Sequence, residues 1–132
     1  MVDGHGIAHP RRMGIAAHFG LFTKWPTLGC AKKILTGKYK EPEPEKGNYT
    51  ALLDGEERIG IMLRTKNKVK PVIVSPGNLL NFENALEITL NSVTTYRLPE
   101  PTRQAHLLVN KLRLGEIKPG VHYYKNIQGR LF

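Results

Sequence analysis

Cysteine is almost absent from this chain, since Cys30 is the only one among 132 residues. No disulfide can form within the chain, and this usage favours a reducing, cytoplasmic compartment. No apolar run approaches the ~20 residues that a membrane-spanning helix needs, which predicts a soluble protein. The first residues also lack the basic-then-apolar pattern of a secretory signal.

Acidic residues are scarce as well, and Asp3 and Asp54 are the only aspartates. Lysine and arginine number 20 against 11 acids, which leaves a formal net charge of +9. Such an excess on a small domain is typical of a polyanion binder, although a merely soluble basic protein fits the same composition. A hydrophobic content of 40% indicates a globular domain with a real core.

Periodicity and turn residues predict one α/β domain. A helix is expected over 11–22, with Pro10 in its first turn, followed by a short buried strand over 26–31. Three strands joined by short turns, at 49–53, 58–64 and 70–75, predict an antiparallel meander that ends in a loop at 75–78.

Two further helices are expected in the second half of the chain. Asn81 is a plausible N-cap for a helix through 93. The last helix follows 99–102, is closed by Gly115, and has an apolar stripe at Ala105, Leu108, Val109 and Leu112. We expect a core over 1–115 and a loose tail over 116–132.

The start of the chain predicts a truncated unit. Met1 to Gly4 has the pattern of a buried strand that ends in a tight turn, yet a strand typically needs about five residues. The sequence therefore predicts a single domain over 1–132 that begins inside a structural unit.

Several blocks of sequence resemble the endonuclease V family, in that family's order and at about its spacing, over roughly residues 1–110. They are VDGHGIAHPRR at 2–12, GIAAHFGL at 14–21, PTLGCAKK at 26–33, RTK at 64–66, VSPG at 74–77 and RLPEPTR at 97–103. The resemblance implies an RNase H-like fold, here a mixed sheet with flanking helices that lacks its N-terminal strands. It also implies Mg²⁺-dependent cleavage of DNA at the second phosphodiester bond 3′ to deoxyinosine, with Mn²⁺ as a substitute ion. Some relatives prefer RNA.

Asp3 is the candidate metal ligand. A carboxylate at a strand end before a glycine turn can offer the hard oxygen that Mg²⁺ prefers. By its residues alone, an aspartate here more often bonds its own backbone in a turn. The resemblance makes Asp3 a metal ligand and makes the turn formed by Gly4, His5 and Gly6 part of a pocket for the flipped base.

Lys32 and His106 are the other catalytic candidates, and both assignments rest on the resemblance. It implies that Lys32 faces the scissile phosphate, whereas Lys33 beside it is expected to matter less. His106, near Arg103 and Asn110 on the last helix, is implied to be a second-shell or water-mediated metal ligand. Without the resemblance, a surface lysine and a helix-boundary histidine are the simpler interpretations.

The remaining candidates are contacts to base or DNA at His9, Gly77 and Arg103. His18 and His122 have no support beyond their residue type. Relatives often have histidine after the Ser-Pro-Gly turn, where this chain has Asn78, and this difference puts a pocket role at that position in doubt.

Asp3 cannot hold a catalytic ion by itself, because metal-assisted hydrolysis needs several carboxylates. The family's first half supplies two more acidic ligands, the opening strands and a wedge loop. We therefore expect DNA, or RNA, as the partner of a complete DNA-repair enzyme, and little or no activity from this chain alone. A non-catalytic nucleic-acid-binding remnant and an unstable fragment are the alternatives. Exposed sheet edge and apolar surface also predict self-association.

Overall fold

A five-stranded mixed sheet organises the protein, a computed structural model of which describes residues 1–120. The strands lie in the order β1-β2-β5-β4-β3, and β1 is parallel to β2 while the other neighbours are antiparallel. The elements in chain order are β1 (Val2–Asp3), α1 (Ile15–Thr23), β2 (Thr27–Ala31), β3 (Tyr49–Asp54), β4 (Glu57–Leu63), β5 (Val72–Asn78), α2 (Phe82–Asn91) and α3 (Glu100–Arg113). The predicted α/β class, mixed sheet and flanking helices are confirmed.

The antiparallel meander predicted for the middle of the chain is confirmed as β3, β4 and β5. The loop predicted at 75–78 is wrong, because β5 continues through Asn78 and pairs with β2. Pro76 has no N–H to donate, and the sheet accommodates it beside a shift in register between Thr27 and Leu28. Its carbonyl oxygen instead accepts from the Ile7 N–H at 2.8 Å.

Apolar side chains project from both faces of the sheet, because successive residues of a strand point to opposite sides. One face carries a core covered by α2, with Leu28, Cys30, Ile61, Leu63, Val72, Val74 and Ala85. The other carries a second core, covered by the segments after β1 and β2, with Ala8, Ala31, Leu52, Ile59, Met62 and Ile73. The central strands are therefore buried on both sides.

The first helix begins later than predicted. The sequence placed it over 11–22, but α1 begins at Ile15 after the N-cap residue Gly14. Arg12 has a left-handed backbone with φ 57, which interrupts a helix. The Arg12 guanidinium binds Asp54 at 2.9 Å and Glu57 at 2.6 Å, and so fastens this turn to the β3–β4 hairpin.

The two later helices are confirmed. The Asn81 side chain accepts from the Asn84 N–H at 2.7 Å and caps α2, and Gly115 follows α3 with φ 75. The apolar stripe of α3 is less buried than its spacing suggests, since Val109 is 60% and Leu112 41% exposed. His122 and most of the predicted tail fall in residues 121–132, outside the described residues, so the division at 115 stays a prediction.

Within residues 1–120, no helix is long and apolar enough to cross a membrane.

Candidate functional site

Asp3 ends β1 at the edge of the sheet. Its Cα pairs with that of Cys30 in β2, and the residue is exposed. Since paired residues of neighbouring strands share a face, Asp3 lies on the side of the sheet that carries Cys30. Burial raises the pKa of the Cys30 thiol to about 12, and the nearby Asp3 carboxylate acts in the same direction.

Basic groups surround the end of β1. Asp3, Lys32, Lys33, Lys70 and Arg97 line an open depression of about 470 Å³, together with Gly4, His5, Ala31 and Leu35. Four cations therefore face one carboxylate. Such a concentration of positive charge at a concave surface attracts a polyanion. The two lysines that follow β2 enter the depression because β2 ends beside β1.

Lys32 also touches the last helix. Its Nζ lies 3.2 Å from His106 Nδ1, and the other ring nitrogen of His106, Nε2, lies 3.2 Å from Asn110 Nδ2. Lys32 thus links the depression that contains Asp3 to the histidine predicted from the last helix. Three residues separated widely in sequence, Asp3, Lys32 and His106, come together at one end of the sheet.

The glycine turn after Asp3 is held by backbone packing. A β-carbon on Gly6 would lie far inside van der Waals contact with the Pro76 carbonyl oxygen. The Gly6 N–H donates to the Ser75 hydroxyl at 2.8 Å. Gly77 is packed similarly, since a β-carbon there would overlap the Thr27 hydroxyl. Packing thus explains Gly6 and Gly77, and their contact with a base stays a prediction.

His5 is buried beneath this turn, with 9% of its surface exposed. Burial lowers its pKa, a backbone interaction with Lys33 opposes that shift, and the charge of His9 adds to it. His5 Nδ1 is buried and has no hydrogen-bond partner among residues 1–120. Burial therefore favours the neutral form of an imidazole that lines the depression.

His9 and Arg103 have partners of their own. His9 Nδ1 accepts from the Arg11 N–H at 3.1 Å, which keeps the side chain in its local turn. The Arg103 guanidinium binds Glu100 at 3.0 Å and lies 3.8 Å from the centre of the Tyr96 ring. Neither residue lines the depression around Asp3.

Arg97 and Lys70 were not predicted as site residues. Arg97 opens the block at 97–103, and this position was the only signal for it in the sequence. Its guanidinium donates to the carbonyl oxygens of Lys70 at 2.6 Å and Pro71 at 2.9 Å, and burial lowers its pKa. Arg97 thus holds the start of β5 at the rim of the depression.

The described residues do not by themselves fit a complete magnesium site. Within residues 1–120, no three His, Cys, Asp or Glu side chains are grouped so that they can hold an ion. Asp54 is bound to Arg12 at the hairpin. Asp3 is the one carboxylate among the described residues that line the depression.

A larger cavity, of about 810 Å³, lies along β3 and is lined by Lys38, Tyr39, Thr50, Leu53 and their neighbours. It shares no residue with the depression around Asp3. Size alone does not make it the functional site, because the titratable groups brought together from distant parts of the chain lie at the other end of the sheet.

A family model described as endonuclease V matches residues 1–107. The chain is 54% identical over 111 residues to an endonuclease V from Petrotoga mobilis, covering 84% of this chain and 50% of that protein. It is 52% identical over 110 residues to one from Alkalilimnicola ehrlichii, covering 83% of this chain and 48% of the relative. The chain spans about half the length of the curated relatives it matches.

Solved structures of endonuclease V proteins are also similar to this chain. The structure of endonuclease V from Streptomyces avermitilis superposes with a TM-score of 0.80 at 43% identity, covering 86% of this chain and 50% of that one. An endonuclease V from Ciona intestinalis, solved in complex with a 23mer DNA containing an inosine followed by a ribo-adenosine, superposes with a TM-score of 0.69 at 28% identity. That match covers 88% of this chain and 54% of the other.

Proposed function

The chain belongs to the endonuclease V family, and on that premise we propose that it forms the Asp3 side of a DNA-repair nuclease site. The complete site cleaves the second phosphodiester bond 3′ to deoxyinosine in DNA, or to inosine in RNA. One observation carries the proposal: Asp3, Lys32 and His106 meet at the same end of the sheet. Asp3 ends β1, Lys32 directly follows β2 and His106 lies in α3, so folding brings together residues that are far apart in sequence.

Asp3 and Lys32 act on the ion and on the scissile phosphate in this proposal, and His106 contacts Lys32. Asp3 is a ligand of Mg²⁺, with Mn²⁺ as a substitute, and the remaining carboxylate ligands come from outside the described residues. The ion supplies charge neutralisation and an activated water when it is bound. Lys32 offers an ammonium to the non-bridging oxygens of the scissile phosphate, where positive charge stabilises developing negative charge.

Nucleic acid is held by the basic rim in this proposal. Lys33, Lys70 and Arg97 line the depression and attract the phosphate backbone. His9 and Arg103 lie outside it and serve as outer contacts. The turn of Gly4, His5 and Gly6 forms one wall of the base pocket, where the backbone can approach a flipped base closely because glycine has no side chain.

A second candidate function is nucleic-acid binding without cleavage. The positive net charge supports it, as does the single carboxylate, Asp3, among the described residues that line the depression. A net charge of +9 supports salt-dependent binding to any nucleic acid without cleavage. In that case the chain is a non-catalytic nucleic-acid-binding protein. Inosine then gives little preference, and higher salt weakens binding steeply.

The proposal also includes a cytoplasmic location and self-association of the chain. A cytoplasmic location fits a chain whose one cysteine is buried and unpaired. Self-association fits the position of β1 at the edge of the described sheet and the exposed apolar side chains of α1, which include Phe22 at 84% and Ile15 at 62% exposure.

The experiment that tests the proposed function compares the chain alone with a chimera. The chimera joins the half of the Petrotoga mobilis relative that the match does not cover to this chain. A labelled duplex with one deoxyinosine is incubated with each protein and Mg²⁺. We expect nicking at the second phosphodiester bond by the chimera, and at least about a thousandfold less by the chain alone.

Matched substitutions in the chimera serve as controls. Asp3→Asn and Lys32→Met are expected to abolish nicking. Lys33→Met removes one rim contact and is expected to lower nicking far less than Lys32→Met, and Asp54→Asn is expected to retain it. A folded chimera that binds the duplex without cutting it would support the binding function instead. Nicking by the chain alone at the chimera's rate, lost on Asp3→Ala, would show that the described residues need no further carboxylates.

A further inference from the structure

A smaller cavity adjoins the depression around Asp3. Its volume is about 180 Å³, and Lys32, Lys33 and Lys70 line both spaces. No acidic side chain is found among the described residues that line this cavity. The three lysines therefore give the cavity and the depression a shared cationic boundary, which favours an anion.

The rest of the cavity lining is apolar or aromatic. Met62 and Ile73 are each 1% exposed and belong to the core. Ile34, Pro71 and Tyr39 complete the lining. Ligand sites in proteins commonly combine such apolar surface with a few charged groups that orient the ligand. The cavity therefore fits a group that has both an apolar face and a negative charge.

Tyr39 offers its ring for such a contact. Its hydroxyl has a hydrogen-bond partner in Glu41, and the pKa of Tyr39 is raised by burial and also by the charge and hydrogen bond of that carboxylate. Glu41 is bound in turn to Arg64 at 2.7 Å. Because the hydroxyl already has a partner, we expect an occupant of the cavity to pack against the ring.

A nucleotide has the combination of groups that the lining fits. Its phosphate is an anion, and its base has π faces that stack on aromatic side chains with little dependence on sequence. In a duplex these faces are covered by the neighbouring bases, so only an unpaired nucleotide can enter. The shared lysines make the cavity continuous with the proposed phosphate site, which favours a nucleotide of the same strand over a separate molecule.

We propose that the cavity lined by Lys33, Lys70 and Tyr39 binds an unpaired nucleotide of the substrate strand, next to the scissile phosphate. The two lysines hold its phosphate at the boundary with the depression. Its base lies over Met62 and packs against the Tyr39 ring.

The place of this nucleotide in the strand rests on the proposed function. Gly4 and His5 line the depression but not the cavity, whereas Tyr39 lines the cavity but not the depression. With inosine at the glycine turn and the scissile phosphate at Lys32, the cavity lies beyond the phosphate. It therefore receives the nucleotide on the 3′ side of the scissile bond.

Methionine NMR tests the proposal on the chain itself, because Met62 is one of three methionines and lines the cavity. The chain, labelled with ¹³C-methyl methionine, is titrated with a short single-stranded thymidine oligonucleotide. The other probes are an abasic strand of the same length, the thymidine strand annealed to its complement, and inorganic phosphate. The Met62 signal is assigned as the one lost in Met62→Leu.

We expect the thymidine strand to move the Met62 signal saturably, because the ring current of a base acts on a methyl group beneath it. The other three probes should move it far less. Met13 lines neither space and serves as the internal control. Equal movement with the abasic strand, the duplex or phosphate would overturn the proposal, as would no movement with the thymidine strand.

Variants at Tyr39 test the aromatic wall. Tyr39→Leu removes the ring, and we expect the Kd of the thymidine strand to rise about fivefold or more. Tyr39→Phe keeps the ring and should keep the affinity. Tyr49→Leu makes the same change on β3, outside both spaces, and should also keep it. An unchanged Kd for folded Tyr39→Leu would overturn the stacking contact.

Lys70→Met provides a second test at an exposed position, where folding is not at risk. We expect a higher Kd and a salt dependence whose logarithmic slope falls by about 0.7, the value for one lost phosphate contact to a single strand. Lys24→Met removes the same charge at the end of α1 and should have a clearly smaller effect. Equal effects of the two changes would show general attraction to the net charge and would overturn the subsite.

The outcome is distinguishable from that of the cleavage experiment, because the titrations involve neither metal nor cleavage. An unmoved Met62 signal together with an active chimera would reject the nucleotide subsite and leave the nuclease intact. The expected Met62 response together with an inactive chimera would keep the subsite and reject the nuclease.

Discussion

At the scale of single residues, Gly6 occupies the tightest position of the turn that follows Asp3. Its neighbour is the Pro76 carbonyl, which is backbone and cannot move aside as a flexible side chain can. We predict that Gly6→Ala lowers the free energy of unfolding by about 1–3 kcal/mol, the usual range for overpacking. Urea unfolding measures the change.

Gly60→Ala is the matched control for Gly6. A β-carbon there would meet nothing closer than 3.1 Å, the distance to the Val74 carbonyl oxygen. We expect a clearly smaller effect than at Gly6. Equal unfolding midpoints for the wild type and Gly6→Ala would contradict the packing described for the turn.

His5 predicts how stability depends on pH. Burial lowers its pKa below the ordinary value of 6.5, so the unfolded chain takes up a proton before the folded chain does. The stability that comes from the neutral imidazole is therefore complete above about pH 6.5 and is lost as the pH falls toward the folded pKa. Urea unfolding between about pH 8 and pH 5 measures this loss.

His5→Gln is expected to flatten the dependence, because glutamine does not titrate. His18→Gln, at an exposed position of α1, should leave the slope as it is. A slope that survives in His5→Gln would assign the effect to other groups.

At the scale of elements, α3 is the least embedded helix. Thr102 is its one buried residue, while Leu107, Val109 and Leu112 are at least 39% exposed. We predict that α3 amides exchange with deuterium faster than those of β4 and β5, whose residues lie in the core. Equal protection of α3 and the central strands would contradict this placement.

Local sequence signals predicted some of the secondary-structure elements correctly and others wrongly. The Asn81 cap, the meander and the Gly115 stop were predicted because local chemistry determines them. The sequence around Pro76 predicts a loop. β5 nevertheless continues through this residue, because pairing with β2 outweighs the local preference of proline for loops. The late start of α1 depends on Arg12, whose ion-pair partners lie 42 and 45 residues away.

The site residues likewise include some that the sequence identified and others that it did not. Asp3, Lys32 and His106 were named through resemblance, since no periodicity relates a lysine and a histidine 74 residues apart. Asn110 was recognised only as a neighbour of His106 on one helix face. Lys70 gave no signal, because it reaches the depression through the position of β5 in the sheet.

At the scale of the whole molecule, apolar surface at α1 predicts self-association. Phe22 is 84% exposed, and a contact that buries a phenylalanine stabilises by about 1.5–3 kcal/mol. We predict that Phe22→Ser weakens the association constant by about tenfold or more, as measured by sedimentation. Leu114→Ser removes an apolar side chain that is 62% exposed at the C-terminal end of α3 and should have little effect. A wild-type chain that remains monomeric at high concentration would exclude the association.

The most direct test of the central claim is the affinity for Mn²⁺, measured by electron paramagnetic resonance on the chain alone and on the chimera. The proposed function requires Asp3 to share its ion with carboxylates that lie outside the described residues. It predicts weak binding by the chain alone and at least about a hundredfold tighter binding by the chimera. Asp3→Asn should remove that gain and Asp54→Asn should keep it. Equal affinities of chain and chimera, or a chimera whose affinity is unchanged by Asp3→Asn, would contradict the account.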